Sequence, residues 1–437
     1  MPNIPTKPHS LYNKKLTLFT NICSQSWRLF YYYIKPFIKH TSEQKLDHLS
    51  EILIWAHDQL GRVGLCGGED GAFLRLILSH VSEKDLQYSH ELYQCCKCLF
   101  DTNMIANPNQ ILIDHKCKSA NFGTEAATIL FNSLRPQLIG RLDGQSIRSI
   151  PKEMKDTLDK IAILFKNPPL EHVYVKRNSK AIELLLHSDI DITLVNPNRP
   201  QHLAVYEVPA VCQDISSVCF DLYSLQGKLL LNSYYSAKQD QQSLAALKSA
   251  VEKFKFHLFV KPFDIDAWVS LGNCFLMLSY EKLGSKIAEY VDRQDISSYQ
   301  KKAFHCFVRA SKLEMKQRNS LSVDYQFELT NTLWGNFGLL CLSILSAPMN
   351  GIALTGSSST VLETWNKKSK SLQENSIEAS TNTDLETEKL SLEKSKKYLY
   401  GIAAFLFKRA YEKNSFSWIF MLRLAHIYRK LDRPPKV

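Results

Sequence analysis

Glycine and proline are scarce, at 16 residues each in a chain of 437. With 45 % apolar residues, that scarcity excludes a predominantly disordered chain and suits a mostly helical globular protein. No apolar run approaches the roughly 18 residues of a membrane span, so no membrane partner is expected. Apolar–polar alternation is rare as well. Val173-Tyr174-Val175 is a candidate short strand, but too little β pattern exists elsewhere to build a sheet. The eleven cysteines are odd in number and lack disulfide-framework spacing, which points to a reducing compartment. Catalytic sets are missing too. No Ser/His/Asp order, phosphate loop or paired carboxylates stand out, and the histidines sit singly on helices. His305, beside Cys306, reads as a packed residue. No enzyme activity, cofactor or metal is therefore expected.

Acidic residues are absent from one end and sparse at the other. Residues 1–40 carry six Lys/Arg and no acid, and residues 397–437 carry nine against two. The centre, 214–345, holds fifteen against thirteen, within a net charge of +11 for the whole chain. Basic ends on a near-neutral scaffold suit an acidic protein, nucleic acid or membrane surface, or form plain solvated helix faces.

What is present is a repeat. Between Ala250 and Ala310 the chain reads as helical hairpins of the tetratricopeptide kind, a unit of about 34 residues with fixed apolar positions. Ala250 and Phe254 lead to Pro262, which blocks helix continuation between units. Trp268-Val269-Ser270-Leu271-Gly272 comes next, with Phe275 where the pattern usually has Tyr. Trp268, Leu271 and Phe275 share one helix face, and Gly272 admits a second helix at close range. Ala303, Phe307 and Ala310 repeat the A-x3-F-x2-A face of that second helix. A further copy reads Ala403, Phe407 and Ala410, followed by Trp418. Phe220, Tyr223 and Gly227 look like the first helix of the hairpin that Ala250 and Phe254 complete. Such pairs cannot bury their apolar faces alone and stack into a solenoid whose concave side holds partners. The expected fold is all-α, a tetratricopeptide-like helical-repeat solenoid with a disordered insertion.

The remaining regions are read from composition. Residues 1–40 form a basic aromatic segment, taken as a helix stopped near Pro36 and packed on the region C-terminal to it. A mitochondrial presequence is usually rich in Arg and Ser, whereas this segment has a single Arg. Stacking on single-stranded nucleic acid lacks a recognisable fold around it. Residues 41–213 form an N-terminal α-helical region, with an apolar stripe through Leu49, Leu53, Ala56 and Leu60, and 189–213 as an irregular crossing. The loop Gly64-Leu65-Cys66-Gly67-Gly68-Glu69-Asp70-Gly71 resembles a phosphate loop only in its glycines. No strand precedes it, and Glu69 and Asp70 would repel phosphate. It reads as a turn with Asp70 capping the next helix. Cys95 and Cys98, with His115 and Cys117, are the one set with metal chemistry. Cys95 and Cys96 also fit an apolar helix face that needs small residues, His-x-Cys is not a usual finger spacing, and the core reading outweighs zinc. Residues 214–345 hold the repeats, with a charged exposed insertion at 281–298. Residues 346–396 are rich in Ser, Thr, Glu and Lys and are expected to be disordered. Residues 397–437 resume repeat helices and end without a polar cap, as expected for a piece of a longer protein.

Four segments together resemble one known family. They are Ala56 through Phe73-Leu74, including His57-Asp58-Gln59-Leu60-Gly61-Arg62-Val63-Gly64; Cys98-Leu99-Phe100; Ala267-Trp268 through Gly272 paired with Gln300 through Phe307; and Ser417-Trp418 with Met421-Leu422 and Lys430-Leu431. In that order they resemble the histone transcription regulator 3 family, the largest subunit of the HIR histone-chaperone complex, related to calcineurin-binding protein cabin. The resemblance spans most of 45–437 and implies a nuclear scaffold in replication-independent nucleosome assembly and transcription regulation. It implies propeller-type and ubinuclein-like subunits as partners, with histones reached through them, and transfers no catalytic residue. Direct DNA contact by the basic ends is a separate expectation. The alternative is a cytosolic adaptor that clamps peptide carboxylates, for which Asn273 and Lys302 are available.

Overall fold

In the computed structural model, the described residues are 9–38, 43–82, 89–102, 111–117, 122–142, 150–165, 167–196, 199, 203–209, 215–236, 241–284, 293–317, 323–355, 382–413 and 418–431. Every regular element among them is helical. The chain divides into two compact units, Met1–Lys166 and Asn167–Val437. Residues 167–213, grouped by composition with the N-terminal helices, therefore belong to the second unit.

The first unit is built around one apolar helix. Its elements are α1 (His9–Ile38), α2 (Glu43–Arg62), α3 (Gly68–Ser82), α4 (Ser89–Phe100), α5 (Thr124–Leu142) and α6 (Lys152–Leu164). Helix α3 carries Phe73, Leu74, Ile77, Leu78 and Val81, all buried, and packs against α1, α2, α4 and α5. The basic aromatic segment is the single helix α1, which continues two residues past Pro36. Trp27 stacks on Phe73, and Arg28 pairs with Glu69 at 2.8 Å. Asp70 is not a simple helix cap. Glu69, Asp70 and Gly71 all have left-handed backbone at φ 51°, 53° and 80°, so the regular helix starts only after them. Glu69 is held there by α1, its backbone N–H donating to Asn21 Oδ1 at 2.8 Å.

The second unit begins with α7 (Val173–Leu186), so the candidate strand Val173-Tyr174-Val175 is its first turn. Three hairpins come after it: α8 (Leu222–Ser236) with α9 (Gln241–Val260), α10 (Ile265–Gly284) with α11 (Arg293–Gln317), and α12 (Val323–Leu345) with α13 (Asn382–Lys413). A last helix, α14 (Trp418–Lys430), packs on α13. Consecutive hairpins touch through α9–α10 and α11–α12. The charged insertion placed at 281–298 shrinks accordingly, since α10 runs to Gly284, α11 starts at Arg293, and Ile296 is buried.

One contact recurs in each hairpin. A Cβ added to Gly227, Gly272 or Gly338 would stand 2.9, 2.8 or 2.8 Å from the ring of Phe254, Phe307 or Phe407 respectively. Each phenylalanine is fully buried over the glycine of its partner helix. The intervals between these pairs exceed the expected repeat of about 34 residues.

The turn between α9 and α10 is fixed by polar groups. Asp264 Oδ1 accepts from the Ala267 backbone N–H at 3.2 Å, and Oδ2 lies 2.7 Å from His257 Nε2. The Trp268 indole donates to the Pro262 carbonyl at 2.9 Å. An N-cap carboxylate satisfies a donor that the helix leaves orphaned.

The expected disorder of 346–396 is corrected at both ends. Residues 346–355 form a turn with a 3-10 segment at Ile352–Leu354, burying Met349, Ile352 and Ala353. Helix α13 is already formed at Asn382. Residues 356–381, including Gly356-Ser357-Ser358-Ser359-Thr360, lie outside the described residues.

The repeat core yields two predictions. Trp268 is 0 % exposed and Trp418 is 69 % exposed. Trp268→Ala should cost about 3–5 kcal/mol, while Trp418→Ala should stay within about 0.5 kcal/mol, as read by chemical denaturation. Burial works against the Asp264 charge, but the His257 hydrogen bond and charge outweigh it and hold its pKa at about 2. An unfolded Asp titrates near about 3.9. The stabilisation is therefore complete above about pH 4 and drains away as pH falls toward 2. Asp264→Asn should flatten that part of the stability–pH curve.

Candidate functional site

All but one of the expected repeat positions are buried. Ala250, Phe254, Pro262, Trp268, Leu271, Gly272, Phe275, Ala303, Phe307, Ala310, Ala403, Phe407 and Ala410 are all buried. Trp418 is not; it opens α14 with its ring in solvent. Its sequence, Trp418-Ile419-Phe420-Met421, lacks the x2-L-G that lets a partner helix cover the indole. Sequence reasoning overlooked Gly338. Trp334-x2-Phe337-Gly338 is the first helix of the third hairpin, its partner lying beyond residues 356–381.

Helices α7, α9, α10 and α11 enclose a cleft of about 330 Å³. Lys248, Glu252 and Lys255 project from one face of α9, at the spacing that aligns helix residues. Lys255 Nζ lies 2.5 Å from Glu183 Oε1 and 3.3 Å from Glu252 Oε1. Burial opposes the Lys255 charge, but the Glu183 hydrogen bond and both carboxylates outweigh it and raise its pKa. The cleft floor is aromatic. Phe275 stacks on Tyr299 at 6.4 Å, and Lys302 Nζ stands 5.9 Å from the Phe275 centroid. Asn273 does not line it and instead accepts from Asn336 Nδ2 at 2.9 Å. The two residues of a carboxylate clamp are thus not brought together. His305 is buried as a packed residue, with Nε2 3.0 Å from the Ser188 carbonyl oxygen.

The cysteines separate in a way that spacing did not foresee. Cys95 faces Glu91 and His57, at 3.5 Å from Glu91 Oε1 and 3.6 Å from His57 Nδ1, and Cys96 is core. Cys98 meets His115 and Cys117, joined by Cys66 from the glycine-rich loop. Hydrogen bonds with Cys66 and Cys98 pull the Cys117 thiol below the usual thiol range. The same contacts push the Cys66 and Cys98 thiols up.

No described helix is long and apolar enough to cross a membrane. Residues 1–121 match the histone transcription regulator 3 helical domain, and residues 143–414 match the HIR3 helical bundle domain. The chain is also 23 % identical over 312 residues to the Histone transcription regulator 3 homolog of Candida albicans (strain SC5314 / ATCC MYA-2876). That match covers 67 % of this chain and 19 % of the relative, so the chain spans about a fifth of that relative's length. With the bundle domain alone extending over more than half of its residues, and with the helical architecture that both domain names describe, the chain belongs to the histone transcription regulator 3 family.

Proposed function

We propose that this chain is a non-catalytic scaffold within a HIR-type histone-chaperone complex, acting in the nucleus in replication-independent nucleosome assembly and transcription regulation. Its direct partners are the propeller-type and ubinuclein-like subunits, with histones engaged through them. The observation that carries this reading is the match of two family domains in order along the chain, over residues 1–121 and 143–414. Stacked hairpins offer a broad, rigid surface assembled from many residues rather than one reactive centre. A tagged pull-down from nuclear and cytosolic extracts tests it. Propeller subunits and histones should co-purify from the nuclear fraction, and their absence from both fractions would end the proposal.

A second reading, the cytosolic tetratricopeptide adaptor, draws on Lys302 in the cleft. On that reading an acidic C-terminal peptide binds the chain and Lys302→Glu abolishes the binding, measured by fluorescence anisotropy. Direct DNA contact through basic α1, where Lys14 and Lys15 are exposed, carries its own signature. Affinity should fall steeply and linearly in log–log form with added salt. A salt-insensitive or missing gel shift removes DNA from the partners.

A further inference from the structure

We propose that Cys66, Cys98, His115 and Cys117 are the four ligands of a structural zinc site in the first unit. The donor atoms converge from three separate places: the loop after α2, the end of α4, and the segment 111–117. His115 Nδ1 lies 3.3 Å from Cys98 Sγ and 3.7 Å from Cys66 Sγ. Cys66 Sγ lies 2.8 Å from Cys117 Sγ. Tetrahedral zinc, with Zn–S of about 2.3 Å and Zn–N of about 2.0–2.1 Å, sets its ligands roughly 3.5 Å apart for S and N and about 3.8 Å for two sulfurs. The two sulfur–nitrogen separations already match. The close sulfur pair would part by about 1 Å to admit the ion.

An apolar core of buried cysteines does not account for the surroundings. Lys116 has left-handed backbone, φ 52°, between His115 and Cys117. Gly61 gives up its side chain to the His115 ring, which a Cβ there would overlap. Gln94 clamps the segment onto α4, its Nε2 donating to the Ile113 carbonyl at 2.7 Å and its Oε1 accepting from the Ile113 N–H at 2.9 Å. The same Nε2 lies 3.5 Å from Cys98 Sγ, the kind of outer hydrogen bond that orients a thiolate ligand. His115 is 5 % exposed and turns Nδ1 to both sulfurs, a use of the ring that a purely hydrophobic core does not require.

Thiolate-rich donors with one imidazole select zinc among abundant divalent ions. All four positions come from the protein, which marks a closed structural site rather than a catalytic one. The ion would staple the loop after α2 and the segment 111–117 to α4. His57, its Nδ1 held by Glu91, stands edge-on to His115 at 5.1 Å between ring centroids. His57, Cys66, Cys98 and His115 bring all their donor atoms within 4.8 Å of one another, so His57 is the rival to Cys117, which enters through its 2.8 Å contact with Cys66 Sγ.

The test is elemental analysis of the full chain purified under reducing conditions without chelator. About one zinc per chain is expected, with a cobalt-substituted form showing the charge-transfer and ligand-field bands of tetrahedral thiolate coordination. Cys66→Ser and Cys117→Ser should lose the metal, while Cys23→Ser and His57→Asn keep it. Should the cysteine variants fail to fold, the unmodified chain still decides. Chelation should lower its thermal transition, and zinc resupply should restore it. A folded, metal-free chain, stoichiometric iron instead of zinc, or a Cys66–Cys117 disulfide in a non-reduced peptide map would overturn the proposal. Metal lost with His57→Asn but kept with Cys117→Ser would overturn the ligand set.

Discussion

The second unit depends on how closely two helices of one hairpin can approach. At Gly227, Gly272 and Gly338 the missing Cβ is the space that a phenylalanine ring fills from the opposite helix. Interaxial distances of 8–10 Å are set by whatever side chains lie at the crossing, and here a flat ring against bare backbone is the spacer. The consequence reaches beyond the hairpin. Phe307, seated on Gly272, stacks on Phe337 of the next hairpin at 5.7 Å, and Phe304 meets the same ring edge-on at 5.5 Å. Phe337 immediately precedes Gly338, whose own phenylalanine is Phe407. A contact inside one unit thus positions the ring that binds the following unit. Aromatic pairs of this kind contribute about 0.5–1.5 kcal/mol beyond their area.

Much of this was legible because the repeat motif couples residue type to spacing. Trp268, Leu271 and Gly272 lie within two turns of one helix, and their partners Ala303, Phe307 and Ala310 lie on the next. The third hairpin was harder to read. Its first helix replaces the usual leucine by Phe337, and its second helix begins only after residues 356–381. Conversely, Trp418 carried the most conspicuous side chain of the signature and none of its context. Without a glycine one turn on, the indole is left 69 % exposed among the described residues, and a tryptophan alone says little about burial.

The boundary of the Ser/Thr-rich stretch failed for a different reason. Composition averages over every face of a helix, but packing needs only one. In α13 the exposed Ser, Glu and Lys side chains around 390–397 outnumber the buried ones. Even so, the helix there runs alongside the turn at Gly351, where Lys396 and Leu392 supply the nearest atoms. The cysteines show the complementary limit. Helical periodicity accounts for Cys95, Cys96 and Cys98 equally well as core. Only the tertiary structure separates Cys98 from its neighbours, by bringing the glycine-rich loop and a non-helical segment to the same point. A cysteine among glycines, Gly64-Leu65-Cys66-Gly67-Gly68, is the signal that the sequence carries for this position.

Segment 111–117 of the first unit is held by different physics from the hairpins of the second. In the second, each junction buries aromatic carbon, and stability accumulates along the array through nearest neighbours. In the first, the segment 111–117 has little apolar surface to bury: Ile111 is 80 % and Ile113 is 55 % exposed. A chain stretch of that kind cannot offset its ordering entropy by the hydrophobic effect, so it needs directional links. The Gln94 clamp on Ile113 supplies two hydrogen bonds, each contributing about 1 kcal/mol net. Ordering seven residues costs several times that. The remaining inward-turned side chains of the segment are Leu112 and Cys117, both half-buried, and His115, which is buried. One leucine offers little hydrophobic offset, and a metal shared by His115 and Cys117, as proposed above, would supply the strong directional link that such a short, exposed, non-helical segment needs.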